Sequence, residues 1–128
     1  MKNKLTIKAD LLGIMASLTC AVHCSVLPLA IAYGFLGSSY MLGHGFVEMI
    51  FIFLSISVAV YALWGSYARN HRNPLPLVSF TIGIICIVIA LINHGNIEIV
   101  LATLGGLIIA FAHLINMRLN KVQLKNIF

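Results

Sequence analysis

Hydrophobic positions divide this chain into four long apolar stretches, at about Leu11–Ala32, Phe46–Tyr67, Leu75–Ile92 and Ile97–Met117. A helix that crosses a bilayer needs roughly 20 mostly apolar residues, so each stretch predicts one span. The intervening connections are short: Gly34–Gly45 is rich in Gly and Ser, Ala68–Pro74 is polar, and Asn93–Asn96 is a tight turn. The stretches lack the strict alternation of barrel strands, which leaves helices as the spanning structure. The expected fold is therefore all-α and integral to the membrane: a four-transmembrane-helix bundle forming a single domain over residues 1–128.

Composition strengthens this reading. Of the 128 residues, 61% are hydrophobic and 9% charged, whereas a soluble domain carries about 25% charged residues. The net charge of +5 reflects scarce acids (Asp10, Glu48 and Glu98) rather than a basic patch interleaved with aromatics, so nucleic acid is not an expected partner. The basic residues fall at Lys2, Lys4 and Lys8 before the first span, at Arg69 and Arg72 between the second and third, and at Arg118, Lys121 and Lys125 after the fourth. All eight share one side of a four-span hairpin, which predicts cytoplasmic termini. The first apolar run extends past any small-residue cleavage site and is read as a retained span, not a signal peptide.

Polar side chains within a span are costly and so point to function. At 100° per residue, Asp10, Gly13, Ser17, Cys20 and Cys24 lie within about 80° of arc, with His23 on the flank. Cys20-Ala21-Val22-His23-Cys24 is a compact ligand set, with thiols one turn apart and an imidazole between them. Thiolates with imidazole suit soft or borderline ions such as Hg(II), Cu(I) and Zn(II). Pro28 cannot donate to the Cys24 carbonyl, and a loosened backbone is expected there. Free cysteine also packs well in apolar cores, but an imidazole in lipid has no such role.

Other residues are accessory candidates. Cys86 shares a face with Ser79, Gly83, Ala90 and Asn93 at the depth of Cys20–Cys24; it reads as a third thiolate or, better, as core filling. His113 and Asn116 share a face with Ala102, Gly105, Gly106 and Ala110, a small-residue side suited to close helix contact. His113 is expected to be an exit-side ligand, a partner of Asp10, or a structural hydrogen-bonding group. His44 with Glu48, and His94 with Glu98, repeat an i,i+4 spacing at the outer ends of spans, where they would collect a cation or simply sit at headgroup level. His71, between Arg69 and Arg72, reads as part of a basic headgroup-contacting loop.

The run Asp10-Leu11-Leu12-Gly13-Ile14-Met15-Ala16-Ser17-Leu18-Thr19-Cys20-Ala21-Val22-His23-Cys24, closed by Pro28, resembles the MerC family of bacterial mercury-transport proteins. Arg69-Asn70-His71-Arg72-Asn73-Pro74-Leu75-Pro76 and Ala112-His113-Leu114-Ile115-Asn116 are also similar to that family. The resemblance implies a bacterial inner-membrane transporter, not an enzyme, that passes Hg(II) inward by thiolate exchange at Cys20 and Cys24. A cytosolic thiol would accept the ion, and no resident cofactor is implied. In mercury-operon members the cysteine pair is not interrupted by a histidine, and further cysteines follow the last span; the tail Arg118–Phe128 has none.

Other classes remain open from the residues. Intramembrane His23 and His113 would suit a haem-binding electron-transfer bundle, although their depths differ. Cys20 and Cys24 would suit thiol–disulfide chemistry only if the helix opened between them. A metal sensor or binding protein uses the same ligands as a transporter. Small-residue contacts of the Ala102-x-x-x-Gly106 kind would also suit a homodimer.

Overall fold

The computed structural model describes residues 2–32, 41–93 and 95–127. Within helices, the side chains of Cys24, His44 and Glu48 fall outside the described residues, as does all of His94. The described elements are helical: α1 (Lys2–Ala32), α2 (Met41–Ala59), α3 (Leu75–Ile92) and α4 (Asn96–Ile127). Among the described residues, three stretches are long and apolar enough to cross a bilayer: Ile52–His71, Leu75–Ile92 and Asn96–Val122.

Beyond Ala59 the second helix continues through two π-helical turns, Val60–Trp64 and Tyr67–His71. Four residues of the expected Ala68–Pro74 loop are therefore helical. The reversal is compressed into Arg72, Asn73 and Pro74, with Arg72 left-handed at φ 49°. There the Asn73 side chain accepts from the Leu75 backbone N–H at 2.9 Å, satisfying a donor that the first turn of α3 cannot pair internally. The turn between α3 and α4 is as tight as the sequence predicts: Asn93 Nδ2 donates to the Ile89 carbonyl at 2.7 Å, and Gly95 takes φ +80°. α1 crosses Pro28 without interruption. Loss of the N–H at Pro28 does not break the helix.

The long fourth helix is the axis of the bundle. It packs along α1 on one side and α3 on the other, while α2 contacts α1 more lightly. Adjacent glycines on α4 serve the two neighbours. A Cβ on Gly105 would lie 2.8 Å from the Gly83 carbonyl of α3, and one on Gly106 would lie 2.9 Å from Ala21 Cβ and 3.2 Å from the Ser17 carbonyl of α1. Such backbone proximity is how helices associate where lipid removes the hydrophobic drive between them. Large apolar side chains point outward on every helix, among them Leu12, Met15 and Val22 of α1, Phe53 of α2, Ile85 of α3 and Phe111 of α4. Hydroxyls that face lipid are returned to their own helix, as Thr19 to the Met15 carbonyl and Thr81 to the Leu77 carbonyl, which spares the cost of an unpaired polar group.

Candidate functional site

The polar stripe of α1 faces the interior as its spacing predicts. Asp10, Gly13 and Ser17 are buried and Cys20 is half-buried, with His23 half-buried beside them. Cys20 lines two adjoining compartments between the helices. One also includes Ile87, Ala90, Ala102 and Glu98; the other includes Ser17, Ser55, Gly106 and Ile109. Glu98, in the first turn of α4, thus lines the same cleft as Cys20, and Ser17 lies one turn from Cys20 along α1. Cys86 lines neither compartment; it packs in the α3–α4 seam, where a Cβ on Gly105 would approach its own Cβ at 3.3 Å. Among the described residues no three of His, Cys, Asp and Glu converge as a metal cage. The Cys24 thiol and the His44, Glu48 and His94 side chains lie outside the described set, so the Cys20–His23–Cys24 set and the two outer pairs are only partly visible.

A second polar centre lies at the other end of the bundle. Asp10, Ser66, His113, Asn116 and Asn120 are all fully buried. Asn116 Nδ2 donates to both carboxylate oxygens of Asp10, at 2.9 and 2.8 Å, and approaches Ser66 Oγ at 3.1 Å and the Ala62 carbonyl at 3.4 Å. Asn120 Nδ2 donates to Ser66 Oγ at 2.8 Å and reaches Asp10 Oδ2 at 3.5 Å. His113 Nδ1 meets Asp10 Oδ1 at 3.1 Å. The carboxylate is thus surrounded by donors, which is how a charge is tolerated in a low-dielectric interior. Of the sequence readings of His113, the partnership with Asp10 is realised.

The amide orientation follows from the turn. The backbone N–H of Asn73 donates to His71 Nδ1 at 3.0 Å, so that nitrogen carries the lone pair. Nε2 must then hold the proton of the neutral ring, and it donates to Asn116 Oδ1 at 2.9 Å. This fixes Asn116 with its NH₂ turned inward toward Asp10. Asn70 Nδ2 likewise donates to Asn120 Oδ1 at 2.9 Å. His71 is therefore a structural member of the cluster, correcting its reading as a headgroup-contacting loop residue. Sequence reasoning also missed Ser66, Asn70 and Asn120. The available signal was the spacing His113, Asn116, Asn120, which carries the polar face of α4 one turn beyond the apolar stretch.

His113 Nε2 is buried and has no hydrogen-bond partner among the described residues. A Cβ on Gly13 would fall 2.6 to 2.7 Å from Cε1, Nε2 and Cδ2 alike, so the α1 backbone lies against the face of the ring. Haem iron needs open space beyond its ligating nitrogen. The residues present at His113 do not fit that group.

The family model described as MerC mercury resistance protein matches residues 10–118, from the Asp10 that anchors the buried cluster to the first basic residue after the fourth apolar stretch. The chain belongs to the MerC family. Neither curated proteins nor solved structures gave a match. For MerC membership the telling point is extent: the match includes the α1 stripe, the π-helical turns and the α4 glycines, so the resemblance of the α1 motif extends to the whole packed unit.

Proposed function

We propose that this MerC-family membrane protein transports a soft heavy-metal cation, Hg(II) before Zn(II) or Cu(I), across the bacterial inner membrane. In this reading α1 is a fourth span and both termini are cytoplasmic. The eight basic residues on one side and the outward apolar side chains of α1 support that arrangement. The observation that carries the functional reading is the placement of Cys20, which lines two neighbouring compartments between the helices, one shared with Glu98 and the other with Ser17.

The cation arrives from the periplasmic face, drawn by Glu98 and by the outer residues His44, Glu48 and His94. Cys20 and Cys24 capture it as thiolates, with His23 as third ligand or proton acceptor. It then leaves to a cytosolic thiol. Thiolate exchange suits this task because each step trades one metal–sulfur bond for another, so tight binding does not trap the ion. The chain has no phosphate-binding loop, which leaves exchange or ion gradients as the drive.

The test is Hg(II) uptake by cells making the wild-type chain or the Cys20→Ser/Cys24→Ser double variant at matched membrane levels. Uptake that falls to background in the variant supports the proposal. Wild-type uptake in the variant refutes it.

A further inference from the structure

We propose that the outer groove between the second helix and α3 seats one anionic glycerophospholipid of the surrounding bilayer, with an acyl chain in the groove and the phosphate on Arg69 and Arg72. The groove lies apart from the Cys20 compartments and shares no lining residue with them.

The groove follows from how the two spans meet. The second helix passes α3 through its π-helical turns and touches it only lightly. The space left between them has a volume of about 220 Å³. Ala59 and Leu63 are buried at its base, Leu77 and Phe80 of α3 are half-buried along one wall, and Val60 and Trp64 stand exposed at the rim. Protein interiors close such gaps with side chains. On the outside of a membrane bundle the filler at hand is hydrocarbon.

Its depth fits one leaflet. Counted at about 1.5 Å per residue, Leu77 and Phe80 lie about 5 and 9 Å below Pro74, and Trp64 and Ala59 about 12 and 20 Å below Arg72. A leaflet contributes roughly 15 Å of hydrocarbon, so a turn at headgroup level sets the groove in the acyl layer beneath it.

Charge identifies the occupant. Arg69 and Arg72 are exposed at the turn. Arg69 folds back along its helix, so that a Cβ on Gly65, the neighbour of Trp64, would lie 3.5 Å from a guanidinium nitrogen. Arg72 holds a left-handed backbone at φ 49°, which glycine or asparagine would occupy at lower cost. A long cation kept at such a position points to a use for its charge. The chain has three acidic side chains. Asp10 is taken up by the buried amides, while Glu48 in α2 and Glu98 in the first turn of α4 belong to the opposite half of the bundle. Among the described residues no carboxylate pairs with either arginine. A second copy inserted the same way round has the same distribution and leaves both cations unmatched. A phospholipid phosphate supplies the missing anion, and a guanidinium fork fits its oxygens.

Trp64 is the single tryptophan of the chain and lines the groove, so its fluorescence reports the occupant. The experiment places the full-length protein in phosphatidylcholine vesicles and adds phosphatidylglycerol or phosphatidylcholine with brominated acyl chains, which quench indole on contact. The expected result is quenching by phosphatidylglycerol with a relative affinity on the order of tenfold over phosphatidylcholine, the scale of two arginines at an anionic interface. In the Arg69→Gln/Arg72→Gln double variant the two lipids should quench alike. Equal quenching by both lipids in the wild type, or a preference that survives in the double variant, overturns the proposal. Trp64 shielded from both lipids also overturns it and, with a cross-linked dimer, assigns the groove to a second copy. If the variant does not fold, the wild-type comparison decides the matter.

Discussion

Replacing Gly13 with Ala tests the tightest contact between α1 and the buried cluster. The added methyl would stand 2.6 Å from His113 Cε1 and Nε2 and 2.7 Å from Cδ2, where ordinary contact begins at 3.4 Å. Three atoms of a rigid ring are involved, so no flexible side-chain end can swing aside. The ring must withdraw by about 0.8 Å, the shortfall in that contact. Its Nδ1 already sits 3.1 Å from Asp10 Oδ1, and such a withdrawal carries it toward or past hydrogen-bonding range. Overpacking costs about 1–3 kcal/mol, and stranding a buried donor adds about 1–3 kcal/mol. Against these stands a gain of about 1 kcal/mol for Ala over Gly in a helix. A net loss of about 1–5 kcal/mol remains. The assay is unfolding in mixed detergent micelles followed by circular dichroism, with Gly65→Ala as control. At Gly65 a Cβ would meet only the end of the flexible Arg69 side chain, at 3.5 Å, so that variant should be neutral or up to about 1 kcal/mol more stable. If Gly13→Ala unfolds like wild type, or like the control, the packing of His113 against α1 is refuted.

Three further substitutions have defined outcomes. Asn116→Ala removes the donor to both Asp10 oxygens and the acceptor of His71, and should lower stability by about 1–3 kcal/mol or more in the same unfolding assay; a loss under 0.5 kcal/mol would contradict the hydrogen-bond network. Arg72→Gly relieves a left-handed backbone and should stabilise the turn by about 1 kcal/mol, seen as a higher unfolding midpoint; a lower midpoint would contradict the turn geometry. Gly106→Val places branched carbon where even a Cβ comes within 2.9 Å of Ala21; it should force α1 from α4, lowering both the unfolding midpoint and Hg(II) uptake, and normal values for both would contradict the crossing.

Much of this architecture was legible in the sequence for a physical reason. In an apolar helix the few small and polar residues must share a face, because lipid accepts only large apolar groups on the other. That rule placed Asp10, Gly13 and Ser17 on one buried stripe, and Ala102, Gly105, Gly106, Ala110, His113 and Asn116 on another. It worked less well around the second helix. A π-helical turn inserts an extra residue into the ladder and rotates everything after it by about 100°, so 3.6-residue periodicity no longer locates the faces of Ser66, Asn70 and His71. Those residues also lie where an apolar stretch gives way to basic loop, and polar groups there have an ordinary explanation in the headgroups.

The sequence by itself therefore determined a helical membrane chain, the inward stripes of α1 and α4, and the thiol–imidazole set as its distinctive chemistry. Those properties follow from side-chain type and local period. Only the tertiary structure decided that α4 is the axis, that Glu98 turns into the Cys20 cleft, and that Asp10 lies within a cage of amides, hydroxyl and imidazole. These contacts join residues 45 to 110 positions apart. Their partners are selected by the glycine crossings and by the cost of leaving a buried charge unpaired, and neither acts until the helices meet.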